Sequence, residues 1–173
     1  MLKIRKAKEE DIPGVCRLYD QLLDEMGPDN PQRWTKGVYP NDDFVKETIQ
    51  NETMHIGIYN NEIISAVVLN NIFTKGYENV PWNIDATDDE VISVHALCVK
   101  VSETGKGFGT QMAKYVVDFA RDNGYKAVRL DVIDGNMNAN RLYPRAGYKS
   151  LGVHKLYYDS TDITDFTMYE YVV

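Results

Sequence analysis

Cysteine is scarce in this chain: Cys16 and Cys98 are the only two among 173 residues. Each stands inside an apolar pattern, so both read as buried, inert thiols and not as a disulfide or a metal-ligand pair. No metal is expected, and a reducing compartment, the cytoplasm, follows. Long apolar runs are missing too, and nothing approaches the roughly 20 residues that cross a bilayer. The opening Met-Leu-Lys-Ile-Arg-Lys-Ala-Lys has neither the apolar core nor the small-residue cleavage site of a secretory leader. Basic residues are in deficit, 19 Lys and Arg against 26 Asp and Glu, for a net charge of −7. That balance argues against nucleic acid or an anionic membrane as the main partner and favours a cationic small molecule or peptide. Repeats, linkers and low-complexity stretches are absent as well, so one domain over residues 1–173 is expected.

What is present is periodicity. Ile12, Val15, Leu18, Tyr19, Leu22, Leu23 and Met26 recur at helical spacing and stop at Gly27-Pro28. A second short helix is expected from Asp43 to Gln50. Strand-like runs cover Lys3 to Ala7, Met54 to Tyr59, Ile63 to Phe73, Val91 to Lys100 and Ala127 to Ile133, with two more over Tyr148–Tyr158 and Thr164–Val173. Asn60-Asn61 is a tight-hairpin dipeptide. Helical spacing returns from Gly107 to Ala120 and, briefly, from Asn138 to Ala146. Thr74 to Glu90 reads as a long loop. Hairpin-linked strands outnumber helices, which excludes a doubly wound parallel sheet. The fold class is α/β (α+β): a mixed, mostly antiparallel sheet with helices on both faces. The last strand, ending Tyr169-Glu-Tyr171-Val-Val173, is apolar and expected near a sheet edge, where pairing in a homodimer would cover it.

The most specific stretch runs from Leu97 to Thr110. An apolar strand enters a turn with glycines at 105, 107 and 109, and a helix follows at once. Small residues let consecutive N–H groups approach an anion, and the helix N-terminus adds donors and a favourable dipole. Walker A spacing is absent. The dinucleotide pattern also fails, because the spacing is Gly-x-Gly-x-Gly and Asp131 lies inside the next strand, not at its tip.

The Val-x-x-x-x-x-Gly-Lys-Gly-Phe-Gly run resembles the acyl-coenzyme A loop of the GNAT superfamily of N-acetyltransferases. The block Asn136-Met-Asn-Ala139-Asn-Arg-Leu142-Tyr143-Pro-Arg-Ala-Gly147-Tyr148 is similar to that family's second signature. The two occur in the family's order and at about its separation. One position departs: relatives usually carry Arg or Gln before the first loop glycine, and Thr104 stands here.

The resemblance implies a single-domain fold with a splayed strand pair that binds acyl-coenzyme A, and transfer of an acetyl group from acetyl-CoA to a primary amine. Gly105, Lys106, Gly107, Phe108, Gly109 and Thr110 would hold the pyrophosphate, backbone groups of Leu97, Cys98 and Val99 the pantetheine arm, and Asn136 that arm as well. Tyr143 would protonate the leaving thiolate. His95 and Asp131 are the two candidates for the base that deprotonates the amine. Strand alternation puts Val91, Ser93, His95, Leu97 and Val99 on one face. Trp34, Tyr39, Tyr77 and Trp82, with acids at 85, 88, 89 and 90, would suit a cationic acceptor. The alternatives are a catalytically silent acyl-CoA-binding module and acyl transfer to a non-amine nucleophile.

Overall fold

The computed structural model describes residues Met1–Val173. In chain order the elements are β1 (Lys3–Lys6), α1 (Ile12–Met26), α2 (Asp42–Gln50), β2 (Met54–Tyr59), β3 (Glu62–Asn70), β4 (Val91–Val99), α3 (Phe108–Asp122), β5 (Ala127–Ile133), α4 (Met137–Arg145), β6 (Lys149–Tyr158) and β7 (Asp162–Val172). The strands form one mixed sheet ordered β1-β2-β3-β4-β5-β7-β6. β4 and β5 run parallel, with a register of Val91–Ser93 against Ala127–Arg129.

By packing, the chain divides into two compact units, Met1–Leu69 with His95–Met112, and Asn70–Val94 with Ala113–Val173. In the first, α1 and α2 lay Val15, Leu18, Tyr19, Leu22, Val45 and Ile49 against Met54, Ile56, Ala66 and Val68 of the sheet. The intervening residues use the other face: a side chain at Gly57 would meet Ser65, Leu2 and Met112 of α3. Helices therefore cover both faces there, which is why β3 is buried continuously from Ile64 to Leu69 instead of alternating. The hairpin between β2 and β3 turns on Asn60 and Asn61, both left-handed (φ 49° and 62°), as a tight primed turn requires.

His55 is one of the buried residues of β2, 2% exposed and opposite Lys6 of β1. Burial, then the Lys6 charge, lowers its pKa to about 4. The folded state thus holds a neutral imidazole that would protonate near 6.5 when unfolded. Its contribution to stability is complete above about pH 6.5 and is lost as pH falls toward 4, a loss of roughly 3 kcal/mol. Urea unfolding should show this decline, and His55→Gln should remove that part of it; an identical decline in the variant would overturn the assignment.

In the second unit β5 pairs with β7 over its whole length, Ala127↔Val172 to Ile133↔Phe166, and β6 pairs with β7 on the other side. The last strand thus lies near a sheet edge, one place in from it, with β6 outermost. β7 is an inner strand, its apolar residues are apolar because two neighbours and the core cover them, and it offers no free edge for a dimer.

Two boundaries also shift. β3 stops at Asn70, three residues before Phe73, because the Asn70 side chain accepts from Ile72 N–H and Asn71 donates to the carbonyls of Asp88 and Val91. Asparagine side chains here replace the strand ladder. β7 starts at Asp162, two residues before Thr164, with Tyr158 opposite Asp162 closing a tight turn. The 74–90 stretch is no loose loop: Thr74 donates to the Tyr157 carbonyl (2.6 Å), and Gly76 lies so close to β6 that a Cβ would sit 2.9 Å from the Lys155 carbonyl oxygen.

Candidate active site

In the first unit, β4 leaves the sheet through a short 3-10 turn, Val101–Glu103, into the glycine turn and then α3. Gly105 and Gly107 are left-handed (φ 80° and 82°), and a side chain on either would meet nothing within 4 Å. The glycines are thus needed for backbone shape, and the space in front of them is open to a ligand. Gly109 does not share this conformation; it is already inside the helix. Phe108 anchors the helix start, buried against Tyr59 at 4.9 Å. Lys106 is exposed and paired with Glu103 (2.8 Å), so its charge is partly engaged within the turn. Thr104 turns its hydroxyl back to the Val101 carbonyl (2.7 Å) and takes no part in the cradle.

β4 is not regular through its length. Ala96 has φ 52°, a left-handed residue in mid-strand. Period-two alternation cannot be carried across such a residue, so the single face expected for Val91 through Val99 is broken at Ala96. His95 lies just before the irregularity, half-buried; Leu97 and Val99 follow it, also half-buried, with Cys98 buried between them. The Cys98 thiol faces Tyr19 and the Ala66 backbone, and burial raises its pKa to about 12. Burial first, then Asp42, raises Cys16 to about 12 as well, so both thiols are inert.

In the second unit, Tyr77, Tyr143 and Tyr158 lie around Asp131 on β5. The hydroxyls of Tyr77 (2.5 Å) and Tyr158 (2.9 Å) both donate to its Oδ1. Tyr143, on α4, packs edge-on to Tyr148 at 5.3 Å and beside Tyr169 at 5.7 Å. Tyr148 donates to the Ala113 carbonyl and Tyr169 to Asn140 Oδ1. Tyr143 is 6% exposed; its hydroxyl makes no hydrogen bond within the protein and is not among the fully buried polar atoms, so it stays accessible. Burial, with the nearby Asp131 carboxylate and Tyr169 adding to it, holds its pKa well above the ordinary tyrosine range. Asn136 caps α4, its Oδ1 accepting from Ala139 N–H (3.3 Å).

This order of parts is matched by a known family: the profile described as acetyltransferase (GNAT) family fits residues 19–148. The chain belongs to the acetyltransferase (GNAT) family. Solved structures share the fold. A GNAT-family acetyltransferase from Streptococcus agalactiae superposes with a TM-score of 0.77 at 17% identity, over 99% of this chain and 95% of that one. A ribosomal-protein-alanine N-acetyltransferase from Brucella melitensis gives 0.73 at 13% identity, over 99% of both chains. A putative acetyltransferase from Salmonella typhimurium, solved with its cofactor acetyl-CoA, gives 0.71 at 14% identity, over 99% of this chain and 93% of that one.

Within this GNAT chain the expected acceptor wall takes a different form. Trp34 packs between Tyr19 and Tyr39, and Tyr39 against Phe44, as part of the first unit's core. Tyr77 and Trp82 pack together in the second unit, and the face of Trp82 is covered by Arg129 at 4.5 Å. Glu90 is paired with Lys126 (2.5 Å), and Asp89 accepts from Thr87. Trp34, Tyr39, Trp82, Asp89 and Glu90 therefore serve packing and turn formation instead of forming a cation cage. No group of three or more His, Cys, Asp or Glu side chains is arranged to hold a metal, and no helix is long and apolar enough to cross a membrane.

Tyr158 and Tyr169 escaped sequence reasoning. Both stand on strands remote in sequence from α4, and their only signal was the density of tyrosine in the last two strands.

Proposed function

We propose that this chain moves an acetyl group from acetyl-CoA to a primary amine of a small molecule or peptide, an acyltransferase reaction by direct attack on the thioester. The observation that carries an active enzyme over a silent acyl-CoA-binding module is Tyr143: a buried phenol kept protonated, with a hydroxyl that no protein group uses. The ring is buried while its hydroxyl is not among the buried groups left without a partner, so a protonated donor stands where a bound acceptor can reach it.

The cofactor fits the residues present. Open space before Gly105 and Gly107 suits a pyrophosphate on the N-terminus of α3, assisted by Lys106 once it leaves Glu103. Leu97 and Val99 offer backbone groups to the acyl arm. Asn136 keeps its amide nitrogen for the same arm after capping α4 with its oxygen. Tyr143 supplies the proton taken up by the sulfur as the carbon–sulfur bond breaks.

For the base we favour His95 over Asp131. Two phenols already donate to the Asp131 carboxylate, which suits a structural anion. Family membership and the net charge of −7 support an amine acceptor. Two inert thiols suit a reducing compartment such as the cytoplasm.

The test is thiol release from acetyl-CoA with a panel of primary amines, basic peptides, alcohols and hydroxylamines. Amine-dependent release is the expected result, with His95→Gln lowering kcat/KM for the amine. Coenzyme A binding without turnover on any acceptor would establish the silent module instead, and turnover on alcohols alone would establish the non-amine reading.

A further inference from the structure

Tyr19, on α1, is remote in sequence from every signature residue, yet its hydroxyl donates to the Ala96 carbonyl at 2.7 Å across 77 residues. Both groups are buried, Tyr19 at 1% and Ala96 at 9% exposure. Ala96 is the left-handed residue within β4, a conformation an alanine holds only when its surroundings impose it. The hydrogen bond is such an imposition: it pulls the carbonyl out of the strand ladder toward α1.

A trans peptide is planar, with its C=O and the following N–H antiparallel. Fixing the Ala96 carbonyl toward α1 therefore fixes the Leu97 N–H in the opposite direction. Beyond that peptide the ladder resumes, with Lys100 N–H bonded to Ile64 O on β3. We infer that Tyr19 is a positioning residue, which clamps the Ala96–Leu97 peptide so that the Leu97 N–H is aimed at the thioester carbonyl oxygen as negative charge develops on it. The inference rests on the acetyl transfer proposed above. Preorientation is what gives such a donor its value, since a peptide that must rotate during the reaction stabilises the developing oxyanion less.

Burial and the neighbouring Cys98 hold the Tyr19 phenol protonated, so the donor persists at any working pH.

The experiment uses the full chain and acetyl-CoA labelled with carbon-13 at the thioester carbonyl. In the wild type, difference infrared spectra should show the bound carbonyl stretch moved to lower frequency than in solution. Tyr19→Phe, which keeps the ring, should lose most of that shift. It should lower kcat roughly tenfold, with KM for acetyl-CoA changed less than twofold and Tm lowered by only about 3 °C. Ala96→Val reaches the same peptide from its other end, because a β-branched residue resists φ near +50°, and should abolish the shift with Tyr19 intact. A carbonyl shift and kcat unchanged in either folded variant would overturn the positioning role. A wild type that binds acetyl-CoA with no carbonyl shift would also overturn it while leaving transfer intact. A wild type that does not bind acetyl-CoA at all would overturn the proposed reaction itself.

Discussion

Tyr143→Phe is expected to lower kcat roughly 100-fold while leaving coenzyme A affinity and stability near wild type. A positioned general acid contributes about 10²- to 10⁴-fold, and the lower end applies because a thiolate is a good leaving group even unprotonated. The figure corresponds to about 2.7 kcal/mol of transition-state stabilisation. The variant is clean because the hydroxyl has no protein partner. Phenylalanine keeps the ring contacts with Tyr148 and Tyr169 and strands no buried acceptor. Tyr148→Phe is the control, since it forfeits the bond to the Ala113 carbonyl and should cost stability, not rate. Because the Tyr143 pKa is raised, this acid should impose no fall in kcat up to the ordinary tyrosine range near pH 10. Stopped-flow turnover and calorimetric coenzyme A binding check both halves, and an unchanged kcat would remove Tyr143 from the chemistry.

The second large effect is structural. Glu170→Gln should destabilise the fold by about 3 to 5 kcal/mol, a large share of the 5–15 kcal/mol typical of a domain. Glu170 is fully buried on β7, opposite Arg129 on β5. Its Oε1 accepts from Arg129 Nε (2.9 Å), and its Oε2 from the Asn83 backbone N–H (2.8 Å) and side-chain amide (2.7 Å). Arg129 in turn donates to the Ile84 carbonyl (2.8 Å) and covers Trp82. A glutamine would neutralise the acceptor, face its own NH₂ toward donors, and leave a buried guanidinium without a counter-charge. Urea unfolding measures the loss, and hydrogen exchange should show the 83–84 segment released first. The double replacement Arg129→Met with Glu170→Leu should recover much of the stability, because burying no charge costs less than burying one unpaired. Recovery of none would show that the segment is held by something else.

Most elements were legible locally. Helix α1 matched its apolar period and its Gly27 stop, and β5 matched its apolar run from Ala127 to Ile133. What failed did so where long-range contacts rule. An apolar strand reads the same whether it lies at an edge or between two neighbours, and only the pairing of β7 with both β5 and β6 separates them. The tryptophan at 82 read as a cation-binding face because nothing near it in sequence announced Arg129. The left-handed Ala96 was invisible for the same reason: the partner of its carbonyl, Tyr19, is 77 residues away.

The sequence by itself determined the class of fold, the family and the glycine turn, because these depend on spacing within one element and on residues that fix their own backbone. The tertiary structure alone decided which polar groups are already partnered: Asp131 by two phenols, Lys106 by Glu103, the Ala96 carbonyl by Tyr19, and Tyr143 by none. Partnering is a matter of distance between remote segments, and a one-dimensional pattern carries no distances.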